Sequence, residues 1–266
     1  MRKSARHIAF IAGSGMDSVR AAMTVRDEVP FDSIDGVGAC AIAGHAGCVI
    51  DGTIAGHECT LVMGRRHVYE GEGAAVEALV AWLARRGVTD LVTTSAAGAL
   101  HSRLQVGDVV IARDVIDFQN RDFLARLHGG WRRDEDPVGD RPTGWRADRT
   151  RRARLDKQLT AEVELAATRA GARWQRGTIL CGSGPAYETP SEVRALQDYG
   201  DAATMSGVPE LAAATRHGVR MAAIALITNP CTGVSGSRPN HQEVLDAGRK
   251  AAAGLAAIVG QLIAMI

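Results

Sequence analysis

The sequence predicts an α/β protein, a single domain with a central mixed β-sheet flanked by helices. Three observations carry that reading. Short apolar, β-branched runs alternate with longer Ala- and Leu-rich amphipathic segments along the chain, the pattern of a sheet covered on both sides. The strand-like runs read as mostly buried, as strands covered on two faces do. No internal repeat or low-complexity linker interrupts the 266 residues, so one domain spanning 1–266 is the simplest count.

In chain order, residues 7–12, 60–63, 90–94, 108–111, 177–181 and 221–228 read as strands. Residues 72–86 read as a helix, with Arg85 and Arg86 near its negative end and Gly87 as C-cap. Residues 161–170, 190–199, 209–217 and 241–266 read as further helices, and Thr189 with Glu192 makes a capping box around Pro190. Residues 118–154 show no clear period and are rich in Arg and Asp, which predicts a structured loop insertion. Acidic residues interleave with the basic ones there, which argues against a nucleic-acid patch.

Composition excludes several classes. A net charge of +1 gives no global attraction for nucleic acid or an anionic membrane. Five cysteines without a CxxC pair argue against a zinc or disulfide framework and predict a reducing, cytoplasmic setting. The apolar core of the N-terminal stretch, residues 8–12, is too short for a signal-peptide h-region. The last 16 residues are uncharged, but they continue a stretch holding Asp246, Arg249 and Lys250, so they predict a packed helix rather than a membrane span.

Polar constellations gather just after the strands, where ligand sites form in open α/β sheets. "GRRHVYEG" (64–71) leaves an apolar run and sets out Arg65, His67 and Tyr69 on alternate residues. In an extended chain these would share one face, about 6.7 Å apart; the competing reading is a solvated edge strand. "IAGSGMDS" offers Gly13, Gly15 and the Ser14 hydroxyl to an anion, but a dinucleotide fingerprint lacks its third glycine at Ser18. "MSGVPE" places Ser206 before Pro209 and Glu210 at a helix start, where free amides make an anion site. "GPAYETPSEV" leaves Tyr187 and Glu188 unexplained by capping, and a ring beside a carboxylate suits a flat heterocycle bearing N–H donors. "ITNP" ends a strand on Asn229, and His241 opens the last helix.

Together with "GHAG" (44–47), "SAAG" (95–98) and "NHQEV" (240–244), these motifs resemble the trimeric purine nucleoside phosphorylase family over nearly the whole chain. The resemblance implies a nucleoside phosphorylase-like fold and a cytoplasmic homotrimer serving purine salvage. It also implies reversible phosphorolysis of 6-oxopurine (deoxy)ribonucleosides such as inosine and guanosine. No metal or organic cofactor is implied, inorganic phosphate being a co-substrate. By resemblance Ser14, Arg65, His67, the Ala96 backbone and Ser206 bind phosphate, beneath the "GHAG" loop. Tyr69 and Met205 hold the ribose, and His241 its 5′-hydroxyl. Tyr187 packs on the base, while Glu188 and Asn229 bond its edge, with Asn229, Glu188 and His67 as the catalytic groups.

Some residues depart from the family pattern. Ser95 stands where Asn is usual, Asp17 where Gly is, Gly207 where Thr is, and Pro230 follows Asn229. Trp131 and Trp145 are candidates for the aromatic that a neighbouring subunit lends. Two alternatives stay open: a methylthioadenosine or methylthioinosine phosphorylase, and a non-catalytic nucleoside sensor on the same scaffold.

Overall fold

The computed structural model describes residues 6–12, 17–39, 47–67, 74–119, 154–239 and 241–266. In chain order these form β1 (Ile8–Ala12), α1 (Asp17–Ala21), β2 (Met23–Pro30), β3 (Cys48–Ile54), β4 (His57–Met63), α2 (Ala74–Arg85) and β5 (Asp90–Ala99). There follow β6 (Val109–Asp117), α3 (Lys157–Arg169), β7 (Trp174–Cys181), α4 (Pro190–Leu196), β8 (Ala202–Thr204), α5 (Val208–Arg216), β9 (Arg220–Pro230) and α6 (His241–Ile263). The bulk of the predicted insertion at 118–154 lies outside the described residues.

The strands form one mixed sheet in the order β2-β3-β4-β1-β5-β8-β7-β6-β9, with β5 also paired to β9. That last pairing bends half of the sheet into a ring: β5 to β8, β8 to β7, β7 to β6, β6 to β9 and β9 back to β5. β1, β4, β3 and β2 extend from β5 as an open wing. Even an eight-strand barrel has an interior just wide enough for side chains, so this narrower ring needs small ones. Its filling is accordingly Ala97, Ala99, Ala112, Ala202, Ala223 and Ala225, with Val110, Ile179 and Ile227. The alanine-rich composition is thus a packing requirement of the closed half.

Helices cover the two faces. Leu159, Val163, Ala166 and Ala167 of α3 pack with Leu255, Ile258, Val259 and Leu262 of α6 in one core. Leu79, Val80 and Leu83 of α2 join Leu211, Ala213 and Ala214 of α5 in the other. Every predicted strand and helix is present, with ends shifted. α3 begins four residues early because Asp156 caps it, its Oδ1 accepting Leu159 N at 2.8 Å. α4 stops at Leu196 rather than continuing to Tyr199.

β2, β3 and β8 escaped the sequence reading for separate reasons. β2 is an exposed, charged edge strand ending in Pro30. In β3, Asp51 and Gly52 interrupt the apolar run. β8 has only three residues. Among the described residues, no helix is long and apolar enough to cross a membrane.

Candidate active site

β1, β4, β5 and β9 run parallel, so their carboxyl ends share one edge. β4 pairs with strands on both sides, to β1 and β3, and the described residues after it, 64–67, are in no strand. After Met63 the chain turns at Gly64, whose φ of +104° suits glycine, and Arg65 is driven inward to 2% exposure. Its fork is not offered outward, as an extended run would have it. Nη2 donates to Thr94 O at 2.6 Å and Ile11 O at 3.4 Å, and Nη1 donates to Ser95 Oγ at 3.3 Å. Nη1 also lies 3.2 Å from Glu210 Oε1, a charge contact between two buried side chains.

Ser206 joins this cluster because the segment after β8 continues antiparallel beside β5 from the Gly98–Ala203 pair. Its hydroxyl donates to Ser95 Oγ at 3.3 Å. Of the amides expected to be free at the start of α5, that of Gly207 is taken, since Gly207 N donates to Glu210 Oε2 at 3.0 Å. Gly207 is required in two ways. Its φ is +93°, and a Cβ there would stand 3.0 Å from Ser95 Oγ and 3.3 Å from Thr93 Oγ1. The two departures at 95 and 207 therefore touch each other. β5 is buried along its length except at Ala96, whose carbonyl accepts the Thr204 hydroxyl at 2.9 Å.

Three residues beyond Ser95 along β5, about 10 Å away, Gly98 pairs with Asn229. A Cβ at 98 would meet Asn229 Nδ2 at 3.3 Å and Cys231 Sγ at 2.5 Å, so glycine lets the amide lie over β5. The Thr228 hydroxyl reaches Asn229 Oδ1 at 2.9 Å, while Nδ2 donates to Pro230 O at 3.0 Å. The extended geometry that Pro230 imposes on its predecessor is the strand geometry β9 has here.

Tyr187 and Glu188 follow β7 and are half-buried. The capping box beside them forms as expected, with Glu192 N bonded to Thr189 Oγ1 and Thr189 N to Glu192 Oε2. A Cβ at Gly182 would lie 3.5 Å from Glu188 Oε1. Burial pushes the Glu188 carboxyl up from its ordinary range, and the charge of Glu192 adds to this. Burial likewise raises the Tyr187 hydroxyl, with a contribution from Glu188. The Cys231 thiol is pushed up to about 12 by burial and by Glu188, so it stays protonated.

Met205 is half-buried between Thr204 and Ser206. The structure thus brings Arg65, Ala96, Met205 and Ser206 together and sets Asn229 further along the same strand. His67 instead lines a cavity of about 510 Å³ with Asp32, Asp35, Arg66 and Val76. Ser14, Tyr69, most of the "GHAG" loop, Trp131 and Trp145 lie outside the described residues, as do the side chains of Asp17 and His241. Sequence reasoning missed Thr93, Thr228 and Gln119, and it saw Glu210 only as a helix-dipole residue. Thr228 sits in an apolar run and Gln119 at the mouth of an unpatterned segment, so neither stood out.

A family model described as the phosphorylase superfamily matches residues 7–264. The purine nucleoside phosphorylase of Bos taurus is 33% identical over 97% of this chain and 89% of its own length. Purine nucleoside phosphorylase 1 of Bacillus subtilis is 30% identical over 97% and 91%. Among solved structures, Schistosoma mansoni purine nucleoside phosphorylase in complex with inosine aligns with a TM-score of 0.78 and 27% identity, covering 98% and 90% of the two chains. With its sheet and with relatives matched along most of their own length in agreement, the chain belongs to the phosphorylase superfamily and, within it, to the purine nucleoside phosphorylases.

Proposed function

We propose that this enzyme carries out reversible phosphorolysis of 6-oxopurine nucleosides, yielding free base and ribose 1-phosphate. The observation that carries the reading is the linear order along β5. The Arg65–Ser95–Ser206 cluster lies at one end, and Asn229 lies three residues on.

Phosphate is held by the Ser95 and Ser206 hydroxyls. Arg65 supplies charge from behind them, and Glu210 fixes it there. The sugar lies over Ala96 and Met205, and the base lies between Tyr187, Glu188 and Asn229. Outside the described residues, Ser14 and Tyr69 complete the phosphate and sugar contacts, while His67, in the neighbouring cavity, is left out of them.

The N9–C1′ bond breaks with its electron pair going to the purine. An oxygen of phosphate then forms the new bond to C1′, and the proton of phosphate ends on the base. Charge builds on the purine while the sugar is oxocarbenium-like, and a donor aimed at that charge accelerates the step. Asn229 Nδ2 is that donor, directed at N7. Ionised Glu188 accepts from N1–H, which hypoxanthine and guanine have and adenine lacks; an unmatched polar group rejects the wrong ligand strongly.

The test is absorbance-monitored turnover of inosine, guanosine, adenosine and methylthioadenosine, with and without phosphate. Turnover of the 6-oxopurines only when phosphate is present is expected. Comparable kcat/KM for adenosine and inosine would contradict the base assignment. Binding without turnover would favour a sensor, and turnover without phosphate a hydrolase. The homotrimer, the cytoplasmic location and a role in purine salvage belong to the same proposal and rest on the family resemblance. Sedimentation equilibrium tests the assembly.

A pH dependence follows from Glu188. Its carboxyl must be ionised to accept N1–H, and burial raises its pKa above the usual glutamate value of about 4.3. The acid limb of kcat/KM for inosine is therefore expected above that value, with activity lost as pH falls through it. In Glu188→Gln the limb should vanish along with most of the preference for inosine. An unchanged limb would assign it to another group.

A further inference from the structure

Gln119 is the last described residue before 120–153. Its Nε2 donates to Gly182 O at 2.8 Å and to Met205 O at 3.1 Å. Both neighbours are carbonyls, so the nitrogen must face them and the orientation of the amide is not arbitrary. Oε1 is then fixed on the other arm. It is buried and, among the described residues, has no hydrogen-bond partner. A buried acceptor left unmatched is costly, and such atoms in native proteins need an explanation.

The location supplies one. The Gly182 carbonyl accepts from Gln119, and a Cβ built on the same residue would stand 3.5 Å from Glu188 Oε1. Met205, the second anchor, precedes Ser206. The amide is thus held at the seam between the base carboxylate and the sugar floor. A guanine edge carries three N–H groups, one on N1 and two on the 2-amino nitrogen. The two oxygens of Glu188 can take two of them, and the third needs another acceptor.

We infer that Gln119 is a specificity-determining residue whose Oε1 accepts the remaining 2-amino proton of guanine, favouring guanosine over inosine. This rests on the phosphorolysis reading above. The amide nitrogen positions the two loops, and the oxygen reads the base.

The experiment compares kcat/KM for guanosine and inosine in the wild-type enzyme and in Gln119→Met, which keeps the length and removes both polar atoms. The wild type should prefer guanosine. In the variant the guanosine-to-inosine ratio should fall by about tenfold, the worth of one buried hydrogen bond. A purely structural role would lower both nucleosides together and leave the ratio unchanged, which overturns the inference. So does a wild type that treats the two alike, a result that needs no variant to fold. If neither nucleoside is turned over with phosphate, the phosphorolysis reading fails instead. Calorimetric binding of guanine and hypoxanthine to the wild-type protein and to Gln119→Met then decides: a guanine preference that falls in the variant supports Gln119 as the reader, and an unchanged preference removes it.

Discussion

Asn229→Ala is expected to lower kcat for inosine phosphorolysis by about 10²–10³, or roughly 3 kcal/mol of barrier, with a much smaller effect on KM. The size follows from how firmly the amide is oriented before substrate arrives. Pro230 O can only accept, so its place beside Nδ2 identifies that atom as the donor and leaves Oδ1, 2.9 Å from Thr228 Oγ1, as the acceptor. Nδ2 spends one hydrogen on Pro230 O at 3.0 Å, and the second is available for a ligand. Pro230 confines Asn229 to extended angles, and Ser237 Oγ adds a bond of 3.0 Å to the same carbonyl. A donor held in this way needs little reorganisation as charge reaches N7, and its removal is felt in the transition state more than in the ground state. Initial rates at saturating phosphate, followed by absorbance, check this. A kcat within a fewfold of wild type would take Asn229 out of the mechanism. Thr228→Val should show a weaker version of the same loss, because the amide keeps its donor but loses the hydroxyl that orients it.

Much of this was legible in the sequence, and the parts that were not share a cause. Strand positions could be read because β1, β4, β5, β7 and β9 are buried apolar runs. The ring closure could not, because it depends on β9 pairing with β5 and β6 at once, and a strand's pattern does not reveal its neighbours. Among site residues, Arg65 was legible as a cation next to a strand, but the direction of its guanidinium was not. That direction is set by Gly64 and by carbonyls at Ile11 and Thr94, which are distant in sequence. Ser95 and Gly207 read as separate oddities. In the fold they are one feature, since a Cβ at 207 would press on Ser95 Oγ at 3.0 Å. Glu210 has a sufficient local explanation as a residue of the first helical turn, and that explanation concealed its contact with Arg65.

That contact carries the largest expected effect on stability. Arg65 and Glu210 are each 2% exposed, and their charges stand 3.2 Å apart. Two charges withdrawn from water in this way add little net stability as a pair. Removing one partner, however, leaves the other uncompensated, at about 3–5 kcal/mol. Glu210→Gln is accordingly expected to lower the unfolding free energy by about that amount, read from urea denaturation. The replacement amide oxygen can still accept Gly207 N, so the cap of α5 survives, but its NH₂ then opposes Arg65 Nη1, donor against donor. The double variant Arg65→Met, Glu210→Leu removes both charges and should recover most of the loss, because a well-packed apolar pair can match a buried ion pair. Function should not recover with it: with no cation behind Ser95 and Ser206, KM for phosphate stays raised while KM for inosine changes little. The two outcomes separate the roles of the pair. If Glu210→Gln unfolds within about 1 kcal/mol of wild type, where surface charge pairs fall, the carboxylate is not what compensates Arg65. If the double variant regains wild-type KM for phosphate along with its stability, Arg65 has no part in holding the anion.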